Sequence, residues 1–232
     1  MKRYRNEWKY TIHEKDIQIL FERLNAVLEK DRNAGGDGYY SVHSVYFDDY
    51  TNACARENEA GISERFKYRI RYYGTDTEKL RLERKEKSQG RCHKETAWIT
   101  EDTYRKLMSG DVSDLFWETD QPLVRQFCIE IMNRCFTPKI IVNYERIAFV
   151  EETTNVRITF DKNISVSDDF DHFLSGGYLS IPIQPLDEHV LEVKFDEILP
   201  GYMKNILTKQ ELIQSAFSKY YLGRMTLQNY TR

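Results

Sequence analysis

No stretch of this 232-residue chain approaches the roughly 18 consecutive apolar residues that a membrane-crossing helix needs, so no span is expected. The opening residues, Met1 to Glu7, lack the apolar core of a secretory signal. Cysteine is sparse: Cys54, Cys92, Cys128 and Cys135 show neither a Cys-x-x-Cys pair nor disulfide-dense spacing. That excludes a disulfide scaffold and a thiolate zinc site, and it points to reduced thiols in a cytoplasmic protein. Cys128 and Cys135 stand seven apart on an expected helix and are read as core. No Pro/Ser-rich linker, low-complexity tract or internal repeat marks a boundary, so one catalytic domain over residues 1–232 is expected. The Gly-rich segment 33–38 lacks the Gly-Lys-Ser/Thr ending of a phosphate loop and reads as a turn. His43, His93 and His189 have no partners at metal spacing, and no Ser/His/Asp or Cys/His set suggests a protein nucleophile. A net charge of −3 excludes general coating of nucleic acid, and none is expected as a partner.

What is present is alternation. Between Phe66 and Tyr72 basic and apolar residues exchange at every step. A strand points successive side chains to opposite faces, so Lys67, Arg69 and Arg71 share one face while Phe66, Tyr68, Ile70 and Tyr72 share the other. From Leu80 onward the pattern recurs, with Arg81, Glu83, Lys85 and Lys87 opposite Leu80 and Leu82. Strands are expected over residues 4–12, 39–47, 65–73, 79–87, 91–99, 139–150, 155–161 and 189–195. On them Glu7 pairs by parity with Lys9, Tyr144 with Arg146, Arg157 with Thr159, and Glu192 with Lys194; Lys94 joins from the fifth. Helical spacing runs from Ile17 to Leu28 and from Val124 to Cys135, before Pro138 stops it. Further helices are expected between Thr100 and Gly110 and after Pro200.

Strands with one apolar and one charged face, together with amphipathic helices, define an α+β fold class: an antiparallel β-barrel tunnel with helices packed on the outside. Its charged faces turn inward. Isolated buried charges cost several kcal/mol each, so such a tunnel implies a bound counter-ion. Arginine forks, lysine point charges and a few carboxylates suit a phosphate chain with a divalent metal. The bland readings are a solvated sheet face for Lys67, Arg69 and Arg71 and a surface ion pair for Glu192 and Lys194. Tyr46 and Asp48 read as structural residues closing a strand end.

The residues also carry a resemblance. Glu-Trp-Lys-Tyr at 7–10, Ser-Val-Tyr-Phe-Asp at 44–48, Lys-Tyr-Arg-Ile-Arg-Tyr-Tyr-Gly at 67–74, Leu-Glu-Arg-Lys at 82–85, Tyr-Glu-Arg-Ile-Ala-Phe at 144–149, Val-Arg-Ile-Thr-Phe-Asp at 156–161, Leu-Glu-Val-Lys-Phe at 191–195 and Ser-Lys-Tyr at 218–220 occur in order. Together they resemble the vacuolar transporter chaperone (VTC) polyphosphate polymerase domain of the triphosphate tunnel metalloenzymes. The resemblance implies transfer of the γ-phosphoryl group of ATP to a growing inorganic polyphosphate chain, with Mn²⁺ or Mg²⁺. It implies phosphate-gripping roles for Arg69 and Arg71 and charge neutralisation by Lys219. Substrate contacts fall to Lys9, Lys67, Lys85, Lys94, Tyr144, Arg146, Arg157, Lys194 and Ser218, and metal binding to Glu192, Glu7 and Glu83.

Two departures bear on activity. Hydrolytic members open with Glu-x-Glu-x-Lys, where this chain has Arg5, Glu7 and Lys9, which favours the polymerase. The polymerase pattern places a basic residue two before Ser218, where Ala216 stands. The alternatives are a metal-dependent tripolyphosphatase or nucleoside triphosphatase in the same tunnel, and a non-catalytic polyphosphate-binding module. Export of a product would need a separate membrane partner.

Overall fold

The computed structural model describes residues 3–31, 38–208 and 212–230; apart from Gly38, the Gly-rich segment lies outside the described residues. Its long strands are β1 (Asn6–His13), β3 (Tyr40–Asp48), β4 (Arg65–Tyr73), β5 (Asp76–Ser88), β6 (Arg91–Ile99), β7 (Thr137–Glu151), β8 (Val156–Ser167) and β10 (Glu188–Phe195). Short strands β2 (Glu29–Lys30), β9 (Ile181–Pro182) and β11 (Ile213–Gln214) add to them. The helices are α1 (Glu14–Asn25), α2 (Ala53–Glu59), α3 (Glu101–Ser109), α4 (Ser113–Glu118), α5 (Pro122–Arg134), α6 (Gly201–Thr208) and α7 (Lys219–Tyr230).

Every ladder is antiparallel, in the order β11-β1-β10-β8-β7-β3-β4-β5-β6, with β2 on β7 and β9 on β8. The sheet curls until its ends meet. Arg5 and Cys92 exchange backbone hydrogen bonds of 2.9 and 2.8 Å, joining the approach to β1 with the start of β6. Beyond that bridge the two strands do not pair in a ladder, so the tunnel wall is curved and only tacked shut there.

The apolar faces point outward, as the alternation requires. Tyr68, Ile70 and Tyr72 of β4 and Leu80 and Leu82 of β5 are buried in a core shared with α3, α4 and α5. Tyr68 stacks on Phe127 of α5 at 4.3 Å between ring centres. A second core joins Leu191, Val193 and Phe195 of β10 and Ile158 and Phe160 of β8 to Leu20 and Leu24 of α1 and Met203 of α6. Each such side chain contributes about 1.5–3 kcal/mol on burial, which holds the cationic faces inward.

Local signals set several boundaries. The Thr100 hydroxyl accepts from the Thr103 N–H at 3.2 Å and starts α3, and Gly110 ends it at φ 80°. Pro122 opens α5, and Cys135 closes it in the left-handed region at φ 51°. Cys135 is therefore exposed rather than core, whereas Cys128 is buried. Pro138 lies within β7 opposite Phe47, where the register slips between Tyr46 and Phe47; the bulge accommodates a strand residue without an N–H. Helix α1 ends at Asn25, short of the buried Leu28. Strand β5 begins three residues before its expected start and β8 runs six beyond its expected end.

The elements α2, α4, α7, β2, β9 and β11 were not expected from the sequence. Helix α7 depends on close approach instead of an apolar stripe. A Cβ on Gly223 would stand 2.7 Å from both Ile140 Cδ1 and Val166 Cγ1, so the bare glycine lets the helix reach the sheet.

Candidate functional site

Strand register brings the inward residues into rows. Lys67, Lys85 and Lys94 stand side by side across β4, β5 and β6, Arg69 is opposite Glu83, and Arg71 lies opposite Ser44. On the far wall Lys9, Glu192 and Thr159 form one row, Glu7, Lys194 and Arg157 the next, and Arg146 faces Asp161. Like charges directly opposite one another are unfavourable, so each row needs an anion. Glu7 reaches Lys85 at 2.7 Å, and Glu83 reaches Lys94 at 2.9 Å. Lys67 has no carboxylate partner among the described residues; its ammonium sits 5.6 Å from the Tyr46 ring centre and 5.9 Å from that of Tyr220.

Two clusters result. In the first, Glu83 is fully buried, accepts from Arg69 Nε at 2.7 Å and is ion-paired with Arg69 Nη2 at 2.6 Å, with Arg71 Nε 3.7 Å away. Arg71 donates to the Ser44, Tyr73 and Tyr144 hydroxyls, each at 3.3 Å. In the second, Glu192 lies 2.8 Å from Lys194, 3.2 Å from Lys219, 3.5 Å from Lys9 and 3.7 Å from Arg146. Asp161 accepts two bonds from Arg146, at 2.6 and 2.7 Å, and meets Lys219 at 2.5 Å. Arg157 is held by the Tyr40 hydroxyl at 2.9 Å and by Asp31.

Both clusters face a cavity of 480 Å³ lined by Lys9, Lys67, Arg69, Arg71, Lys85, Lys94, Tyr144, Arg146, Arg157, Glu192, Lys194 and Lys219. A second cavity of 630 Å³ adjoins it and shares the wall formed by Asn6, Glu7, Lys9, Lys67, Lys85 and Cys92. Arg65, Lys87, Ala216 and Ser218 lie on this second side. Thus the residues expected to line a tunnel are gathered around one passage, with Glu83 beneath its wall. Ser218 is apart from the clusters: its hydroxyl accepts from the Tyr221 N–H at 3.3 Å and caps the start of α7. Lys219, one residue on, enters the 480 Å³ cavity.

The field in this passage is strong. Burial pushes the Glu83 carboxyl up, but Arg71, Arg69 and Lys94 outweigh it and hold it well below the usual range. Against the same burial, Lys85, Lys9 and Lys194 hold Glu7 down, and Lys194, Lys219, Lys9 and Arg146 hold Glu192 down. Lys67 moves the other way: burial, with Lys85, Lys9 and Arg69 nearby, lowers it to about 8 despite the partial compensation from Tyr46. Such a site prefers a polyanion with several negative oxygens, because cations outnumber carboxylates and are already desolvated.

Comparison with known proteins fits this geometry. The VTC domain family model matches residues 4–228. The chain belongs to the VTC domain family. No curated protein matches it in sequence. Among solved structures, a Hippeastrum protein reported as an adenylyl cyclase candidate with a dominant triphosphatase activity is similar, with 16% identity, a TM-score of 0.55 and 96% coverage of both chains. A Bacillus halodurans protein described as an adenylate cyclase candidate is 11% identical over 94% of this chain and 95% of its own, with a TM-score of 0.53. A Vibrio parahaemolyticus protein of the same description is 15% identical over 96% and 98%, with a TM-score of 0.51. At these identities the likeness concerns the fold, and it matches the tunnel architecture already described.

In this VTC domain the expected metal ligands are not gathered as a set of three. Among the described residues no three His, Cys, Asp or Glu side chains converge as a ready metal site. Both Glu83 oxygens are engaged by Arg69 and Lys94. Glu7 and Glu192 are neighbours that share Lys9 and Lys194. Magnesium-type sites commonly use one or two carboxylates completed by substrate phosphates and water, and Glu7 with Glu192 fits that donor set better than an all-protein cage.

Sequence reasoning missed Asp161, although it shares parity with Arg157 and Thr159 and closes a quoted motif. The sequence marks Tyr46 as structural, yet its hydroxyl accepts from Arg69 in the tunnel wall; Asp48 does have a structural role, accepting from the Cys54 and Ala55 N–H groups and from Tyr220. Arg81 also lines the passage, against Trp98 at 4.2 Å and Tyr73 at 4.8 Å. Tyrosine suits either face of a strand, so alternation gave no signal for Tyr46.

Proposed function

We propose that this VTC domain, as one catalytic unit over residues 1–232, transfers the γ-phosphoryl group of ATP to a growing inorganic polyphosphate chain in the tunnel. The observation that supports this most is the convergence of guanidinium and ammonium groups from β1, β4, β5, β6, β7, β8, β10 and α7 on one 480 Å³ cavity. Phosphoryl transfer asks little covalent chemistry of a protein; it asks for alignment and for charge placed where oxygens become more negative. Arg69 and Arg71 grip the triphosphate from one wall and Arg146 and Arg157 from the other. Lys9, Lys67, Lys85, Lys94, Lys194 and the Tyr144 hydroxyl extend this lining along the chain, and Ser218 secures the entry of α7. Lys219, stacked over Tyr144 and bonded to Asp161, neutralises charge developing at the transferred group. Glu192 and Glu7 would hold Mn²⁺ or Mg²⁺, which supplies charge neutralisation between phosphate oxygens when bound.

Two structural details bear on the reading. Arg5, at the place of the first acid in hydrolytic members, lines the cavity and pairs with Asp196 at 3.2 Å. A cation there removes one metal ligand and adds a phosphate contact, which supports the polymerase. The shared fold with the Hippeastrum protein supports a second reading, a triphosphatase in which water replaces the phosphate acceptor. No helix among the described residues is long and apolar enough to cross a membrane, and export of the product from the cytoplasm would fall to a separate membrane partner.

The test is to incubate pure protein with ATP and Mn²⁺ and to resolve the products on a gel. A ladder of long phosphate chains supports the polymerase, and orthophosphate without chains supports the triphosphatase. Unchanged ATP with retained tripolyphosphate binding would overturn both in favour of a binding module.

A further inference from the structure

Tyr46 is a buried hydroxyl in the tunnel wall to which the mechanism above gives no task. It is 3% exposed, on β3, opposite Arg69. Its ring stacks on Tyr220 at 5.4 Å, and the Tyr220 hydroxyl is anchored on Asp48 at 2.5 Å. Arg69 has five N–H groups in a planar fork. The Nε and Nη2 edge goes to Glu83, at 2.7 and 2.6 Å, and Nη1 donates to the Tyr46 hydroxyl at 2.8 Å. One N–H on each Nη remains for the oxygens of a phosphate.

We propose that Tyr46 is a positioning residue for phosphate binding: its hydroxyl and the Glu83 carboxylate clamp Arg69 from two sides and leave the end of the guanidinium for the ligand. The inference rests on reading the tunnel as a polyphosphate site. Without the hydroxyl, Glu83 alone holds the guanidinium and its outer end can swing. The clamp is also sensitive to pH. Burial raises the Tyr46 phenol, but Arg69, Lys67 and Arg71 on β4 outweigh it and bring it down to about 7. From α7 the Tyr220 ring stacks on it, and the Tyr220 hydroxyl donates to Asp48 and accepts from Arg224 at 3.0 Å. As pH rises through that value the phenolate still holds Arg69, yet it places a negative charge beside the phosphate.

Tyr46→Phe keeps the ring stack and removes the hydroxyl. Tripolyphosphate binding, measured by calorimetry, should be about tenfold weaker in the variant at about pH 6, the usual worth of a hydrogen bond to a charged group. The ratio of variant to wild-type dissociation constants should then fall as pH rises to about 8.5, because only the wild type acquires the repelling phenolate. A purely structural tyrosine would lower thermal stability and leave that ratio flat, which would overturn the proposal. Site-specific difluorotyrosine at position 46, which keeps ring and hydroxyl with a more acidic phenol, should move the pH profile downward; an unmoved profile would equally overturn it. If the wild type itself fails to bind tripolyphosphate, the polyphosphate reading falls and this inference with it. Binding by the wild type with a flat ratio removes only the role of Tyr46.

Discussion

Lys67→Met should make the ligand-free protein more stable while weakening its grip on phosphate chains. Lys67 lies between the two cavities with aromatic rings beneath it and no carboxylate partner among the described residues. Burial and the neighbouring Lys85, Lys9 and Arg69 lower it from 10.5 to about 8. At about 1.4 kcal/mol for each tenfold change in proton affinity, keeping Lys67 charged costs the folded state about 3 kcal/mol near neutrality. Methionine fills a similar volume without the charge. For a chain of this size each kcal/mol moves the melting temperature by roughly 2–4 °C, so a rise of roughly 6–12 °C is expected at pH 7.

The sign follows from proton linkage. Between the folded value of about 8 and the ordinary value of 10.5 the unfolded chain binds the proton and the folded chain does not. Wild-type stability therefore gains with pH across that window. The advantage of the variant should be full below about 8 and gone near 10.5. Urea denaturation of both proteins from pH 7 to above 10 measures this, and calorimetry with tripolyphosphate should show weaker binding by the variant, by roughly tenfold for one lost charge contact. A variant less stable than wild type at pH 7, or an advantage that does not shrink above pH 8, would refute the reasoning.

Glu192→Gln removes the carboxylate shared by Lys194, Lys219, Lys9 and Arg146, so metal-free tripolyphosphate should bind several-fold more tightly, of order 1 kcal/mol, while Mn²⁺-dependent turnover collapses. Wild-type turnover at limiting Mn²⁺ would transfer the metal role to Glu7. Asp161→Asn leaves Arg146 and Lys219 short of a buried counter-charge and should cost about 3–5 kcal/mol in urea denaturation; a loss below about 1 kcal/mol would contradict its place in the network. Gly223→Ala drives a methyl into Ile140 and Val166 and should cost about 1–3 kcal/mol and reduce turnover by displacing Lys219; an unchanged melting temperature would show that α7 has room to spare. Glu7, Glu83, Asp161 and Glu192 are all held below the ordinary carboxylate range, so their stabilisation is complete above about pH 4–5 and fades only as acid reaches the lowered values. Loss of that contribution on going from pH 7 to about 5.5 would be inconsistent with these pairings.

Several parts of the site were legible because one rule covers them. Lys67, Arg69 and Arg71 share parity, their apolar neighbours are buried under α5, and both outcomes follow from the two-residue period of a strand. Lys94, Arg146, Arg157 and Lys194 followed by the same argument. Ser218 did not, because a short Ser-Lys motif does not reveal that the serine caps a helix while the lysine turns inward. The three glutamates were grouped as metal ligands by type, but pairing decides their company. Glu83 is locked between Arg69 and Lys94, whereas Glu7 and Glu192 stand in successive rows of the β1–β10 ladder and share Lys9 and Lys194.

The sequence by itself determined the strand faces, the inward turn of the cations and the family, since each depends on local periodicity or on motifs in order. Tertiary structure alone decided which cation meets which carboxylate, that Asp161 bridges Arg146 and Lys219, that Tyr46 braces Arg69, and that Lys67 has no carboxylate partner among the described residues. These are contacts between strands distant in sequence, brought together by the register of β1 with β10 and β3 with β4 and by the approach of α7 over Gly223. A period of two says which way a side chain points; only the closing of the sheet says what it finds there.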